Sequence, residues 1–131
     1  MAGEVRKVTP GDRTEGVWTE GMTREEAIAT GGMWAGVART APGMVSGWHH
    51  HGEFESAIFV LTGALRMEFG PGGAEVLEAG PGDFVYVEPG AIHREGNPTE
   101  QESQIVVVRA GSGQPVTNVN GPEPAQIPKD R

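Results

Sequence analysis

From residue 33 onward the chain alternates between short runs with strand character and clusters of turn residues. The runs cover residues 33–40, 45–51, 56–61, 64–69, 75–78, 83–87 and 103–110. Between them lie Ala41-Pro42-Gly43, Thr62-Gly63, Gly70-Pro71-Gly72-Gly73 and Pro89-Gly90, each with the Gly or Pro that a tight turn needs. In Leu65-Arg66-Met67-Glu68-Phe69 apolar and charged residues alternate, which buries one face and wets the other. Residues 57–61 and 105–108 are apolar on both faces, the mark of central strands or of strands covered by a second chain. Strands spaced by about ten residues, without helical periodicity, predict an antiparallel all-β sandwich or barrel.

The two ends read differently. Thr23 is followed three residues later by Glu26, the capping-box spacing, and Gly31-Gly32 follows, which predicts a short helical turn in an N-terminal arm. Such a turn is too short to be stable alone and must pack on the larger body. Pro115, Pro122, Pro124 and Pro128 confine any late strand to residues 116–120. The expected organisation is an arm at 1–32, a β-domain at 33–120 and a C-terminal tail at 121–131.

Composition narrows the classes. A chain of 131 residues is one domain, and its 21 Gly and 10 Pro suit a compact, turn-rich body. The net charge is −8, with no basic cluster, so neither nucleic acid nor an anionic membrane is an expected partner. The absence of Cys excludes disulfides, zinc fingers and thiol nucleophiles, so any metal must be held by His, carboxylate or water. Met-Ala-Gly-Glu-Val-Arg-Lys has no signal-peptide core, and no run approaches the roughly 18 apolar residues of a membrane span, so a soluble, cytoplasmic protein is expected.

Three of the four histidines are consecutive, His49-His50-His51, and the fourth is His93. In an extended strand His49 and His51 share a face and His50 takes the other, giving a two-point metal claw. The bland alternative is a set of surface imidazoles beside Trp48. Against it, Glu53 and Glu55 follow across the Gly52 turn, and imidazole with carboxylate suits iron, manganese, nickel, zinc or copper. His93 follows Pro89-Gly90-Ala91-Ile92, a rigid turn able to carry a further ligand over the same sheet.

These residues resemble the two motifs of the cupins. Gly43, five residues, His49-His50-His51, three residues, Glu55 and then Gly63 resemble the first, with seven residues before Gly63 in place of six. Counting back from Gly63 puts Ser56 in the Glu slot; counting forward from the histidines puts Glu55 there, which is preferred because Ser is a poor ligand, with Glu53 a weaker candidate. Gly82, five residues, Glu88-Pro89-Gly90, two residues, His93, three residues and Asn97 resemble the second, with Glu88 in place of a Pro. The resemblance spans residues 33–110 and implies a single-domain jelly-roll β-barrel with one divalent transition metal inside, held by His49, His51, Glu55 and His93.

Such a site acts as a Lewis acid or activates dioxygen, depending on the metal. The resemblance therefore implies a metal-dependent enzyme acting on a small organic molecule, with dioxygenase-type oxidation ahead of lyase, isomerase or cyclase chemistry. The alternative is a non-catalytic binding or sensing module. Tyr86, the only tyrosine, is a candidate acid/base, and Arg66 and Arg109 are candidates for clamping a carboxylate, although Arg66 alternates with apolar neighbours and should face water. The two-sided apolar strands, the arm and the resemblance lead us to expect a homodimer.

Overall fold

The computed structural model describes residues 3–123 and shows two antiparallel sheets. The strands are β1 (Thr14–Glu15), β2 (Met22–Ala29), β3 (Met33–Thr40), β4 (His49–His50), β5 (Glu55–Thr62), β6 (Leu65–Phe69), β7 (Glu75–Ala79), β8 (Phe84–Val87), β9 (His93–Gly96), β10 (Ser103–Ala110) and β11 (Thr117–Asn118). One sheet has the order β1-β2-β3-β10-β5-β8, the other β11-β4-β9-β6-β7, and they face each other as separate layers. The all-β jelly-roll class expected from the sequence is the one observed. No helix among the described residues is long and apolar enough to cross a membrane.

Alternation along the strands explains the interior. Ile58 and Val60 on β5, Leu65 and Met67 on β6, and Ile105 and Val107 on β10 point inward and join one buried cluster. Each such side chain, fully buried, contributes about 1.5–3 kcal/mol. β10 and β5 occupy central positions, as their apolar character requires. On their outer faces Leu61 and Val108 are exposed and Phe59 and Val106 half-buried, while Phe84 and Tyr86 of β8 are exposed, Phe84 at 75%.

The capping-box segment departs from expectation. Residues 22–29 form β2, paired with β3 from Met22↔Thr40 to Ala29↔Trp34, and the only helical turn among the described residues of the arm is Pro10–Asp12. There the Asp12 carboxylate accepts from the Thr9 N–H and Oγ1, at 3.2 and 2.8 Å. Three adjacent residues explain the strand at 22–29: Met22 and Arg24 are buried while Thr23 between them is exposed, a period of two that a helix cannot satisfy. The arm thus belongs to the sheet, through β1 at residues 14–15 and β2 from residue 22. In the tail, residues 124–131 lie outside the described residues, and β11 falls inside the window left by the prolines.

Two motif residues secure the frame around the site. Gly63, at the β5–β6 turn, has φ of 71°, and a Cβ there would lie 2.8 Å from Ser103 Cα, so only glycine fits. Asn97, buried after β9, donates to the carbonyls of Thr40 (2.9 Å) and Gln101 (2.7 Å) and accepts from Thr99 N–H (3.0 Å) and Oγ1 (2.6 Å). It ties the loop after β9 to the end of β3.

Candidate metal centre

The histidines come together where β4 meets β9. His49 and His93 are direct register partners, and both are buried. His51 lies two residues beyond His49 on the same inward side, and it too is buried. The chain then turns through Gly52 at φ of 60°, closed by the Phe54 N–H on the His51 carbonyl at 3.0 Å. His50 takes the opposite face, where its Nδ1 accepts from the Gly52 N–H at 3.0 Å. The strand-face assignment read from the triplet is therefore the arrangement observed.

Each inward imidazole is oriented by a backbone carbonyl. His49 Nδ1 lies 3.0 Å from Gly47 O, His51 Nδ1 3.0 Å from Pro115 O, and His93 Nδ1 2.8 Å from Ala91 O. A carbonyl oxygen only accepts, so each Nδ1 carries the proton and each Nε2 presents a lone pair. The ligating atoms of the three lie within 4.8 Å of one another, and His51 Nε2 is 3.2 Å from His93 Nε2. Two lone pairs that close repel unless a cation lies between them. Nitrogens about 2.0–2.1 Å from a shared ion, at bond angles between about 90° and 110°, are roughly 2.9–3.4 Å apart, so the residues present fit a transition metal.

The carboxylate on this interior is Glu95, which the sequence reading did not single out. It lies two residues after His93 on β9 and is therefore on the same face. It is 4% exposed, and its Oε2 stands 3.3 Å from His49 Nε2, outside hydrogen-bond geometry. A carboxylate facing an imidazole lone pair again calls for a cation. Glu55 and Glu53, by contrast, are exposed, and Glu55 starts β5 with its side chain on the outer face. Ser56 turns inward instead, with a buried, unpartnered Oγ. The structure thus brings together His49, His51 and His93 and leaves Glu55 apart from them.

Tyr86 also belongs to the outside. It is 63% exposed, at the rim of a cavity of about 240 Å³ that reaches His93 and is lined by Met67, Phe69, Leu77 and Val87 among others. Desolvation and then the charge of Glu55 hold its phenol above the ordinary value, so it stays protonated. Further inside, Arg24 and Arg109 are buried guanidiniums. Arg24 donates to Val17 O at 3.0 Å and Thr19 Oγ1 at 2.6 Å. Arg109 stacks 4.4 Å over the Trp34 ring.

Burial, together with nearby Arg109, pushes His51 down to about 2, and burial pushes His93 down to about 4. Below 6.5 the unfolded chain takes up protons that these folded imidazoles refuse, so stability present above 6.5 is lost as pH falls toward about 4. For Glu95, burial alone would raise the carboxyl, but positive charge nearby, that of Arg24 included, outweighs it and holds it low. Its contribution has the same sign in a lower window, present above its ordinary 4.5 and lost as pH falls below it. Chelator-treated protein should therefore melt at steadily lower temperature as pH is lowered from 6.5. A melting temperature that stays level through that window would show that the imidazoles protonate freely in the fold.

Comparison with known proteins gives a consistent picture. The family described as the cupin domain matches residues 36–109. No curated protein matches the chain. Among solved structures, the polyketide cyclase RemF from Streptomyces resistomycificus is similar with a TM-score of 0.70 at 22% identity, over 88% of this chain and 86% of that one. KdgF from Halomonas sp. gives 0.65 at 18% identity, over 81% and 94% of the respective chains. An oxalate oxidase gives 0.64 at 20% identity, over 76% of this chain and 55% of that one.

Proposed function

Since this chain belongs to the cupin domain family, we propose that it is a metal-dependent enzyme acting on a small organic molecule, with oxidation by dioxygen as its reaction class. The observation that carries this reading is the convergence of three buried imidazoles, each fixed through Nδ1 by a backbone carbonyl so that Nε2 is left for a metal. Resemblance in fold to a polyketide cyclase and an oxalate oxidase supports an enzymatic use of such an interior. Iron, manganese, nickel or copper bound there would supply Lewis acidity and a place to activate dioxygen.

The chain's own residues do the rest. His49, His51 and His93 hold the ion, and Glu95 balances positive charge beside His49. Met67, Phe69, Leu77 and Val87 give the approach to His93 an apolar wall that displaces water around a small substrate. Protein purified without an affinity tag or nickel column should carry about one equivalent of a redox-active metal per chain by elemental analysis. The iron-loaded protein should then consume dioxygen with aromatic or 1,3-dicarbonyl substrates. Zinc would redirect the reading to lyase, isomerase or cyclase chemistry. A loaded protein that binds a metabolite and returns it unchanged would be a binding module, and a chain that takes up no metal even on reconstitution would overturn the proposal.

A further inference from the structure

Arg109 has no part in holding a metal, yet its setting is unusual. It is 2% exposed, and its Nε and Nη1 lie buried without a hydrogen-bond partner. It forms no ion pair within 4.0 Å among the described residues. Arg24, the other buried guanidinium, already donates to Val17 and Thr19. Leaving charged donors buried and unpaired is among the more costly things a fold can do.

Register shows where Arg109 stands. It pairs with Trp34 on β3 and with Ser56 on β5, and Ser56 pairs with Val87 on β8. All four are buried, so Trp34, Arg109, Ser56 and Val87 form one inward row across the larger sheet. Val87 also lines the cavity that reaches His93. Ser56, whose Oγ is unpartnered, stands in that row between Val87 at the cavity wall and Arg109. Charge points the same way. Among the described residues the fully buried arginines and acids are Arg24, Arg109 and Glu95, two positive against one negative, and a divalent ion widens that imbalance. The missing partner is an anion, and the planar fork of a guanidinium matches a carboxylate.

We propose that Arg109, with Ser56 beside it, binds the carboxylate of the substrate, so that the molecule acted on at the histidines is a small organic acid. The idea deepens the enzymatic reading and rests on it for the word substrate; the anion site itself can be measured without turnover. Benzoate and its neutral amide, benzamide, are matched probes of a size suited to the cavity. Titrated into the purified protein, with metal content measured on each sample, benzoate should bind at least about tenfold tighter than benzamide. Arg109→Gln should abolish that preference while keeping the metal content of the unaltered protein. Ser56→Ala, a small change at a buried site, should weaken benzoate several-fold and leave benzamide unchanged.

Equal binding of the two probes by the unaltered protein would overturn the proposal, as would a preference that survives Arg109→Gln. If Arg109→Gln does not fold, Ser56→Ala decides: a reduced preference supports the site, and an unchanged one refutes it. A preference for benzoate in protein that takes up no metal and consumes no dioxygen would sustain the anion site while removing the enzymatic reading. Normal metal uptake and dioxygen consumption without any preference would do the reverse.

Discussion

His51→Ala should remove nearly all of the thermal stabilisation that added metal gives the protein, whereas His50→Ala should leave it intact. The two residues are neighbours of identical type, but one is buried with its Nε2 3.2 Å from that of His93, and the other turns away to accept from Gly52. An ion at a hundred times its dissociation constant stabilises the fold by about 2.7 kcal/mol, a shift of several degrees in Tm. Loss of one of three ligands takes that shift away. In chelator-treated protein the same substitution should matter much less, because it relieves the opposed lone pairs of His51 and His93 even as it loses the Pro115 contact. The readout is thus the difference between metal-loaded and chelated melting curves for each variant. Equal differences in the two variants would sink the assignment of faces.

Glu95→Ala should be the most destabilising change of an acidic residue in the described chain. Glu95 is the one fully buried acid there, and it shares the interior with Arg24 and Arg109. Deleting it leaves two buried guanidiniums without the acid that offsets their charge, which should cost more than about 1 kcal/mol although neither is directly paired with it. Glu55→Ala, at an exposed position on β5, should change stability by no more than about 0.5 kcal/mol. Urea denaturation of both variants decides the matter. Adding Arg109→Met to Glu95→Ala should recover part of the loss, since it removes one stranded charge, and failure to recover any would show that Glu95 acts through packing instead.

Much of this architecture was legible from alternation and spacing. The limits of β3 and β10 coincide with apolar runs read directly from the sequence, and the faces of His49, His50 and His51 follow from a period of two. The carboxylate was harder to place. β5 is apolar on both faces, so nothing in Ala57-Ile58-Phe59-Val60-Leu61 says which parity faces inward, and a count from the histidines selected Glu55 where the strand buries Ser56. Glu95 carried a usable signal, the His-any-Glu alternation at 93–95, but β9 lacks the apolar run that marks a strand. Residues 22–29 misled for the opposite reason: the capping-box spacing is local, whereas the strand is imposed by pairing with β3 and by burial of Arg24, which no charge pattern announces.

The carbonyl that orients His51 belongs to Pro115, 64 residues later in the chain. During synthesis the other two orienting carbonyls, Gly47 and Ala91, emerge close to the histidines they serve. The third arrives only after β10 has been made, on the segment that leads into β11 and pairs beside β4. A nascent chain that stops short of residue 115 can display all three imidazoles and still leave one ring free to spin. If the three imidazoles hold an ion, a chain lacking this last stretch should bind it more weakly, because the His51 ring then has no carbonyl to orient it.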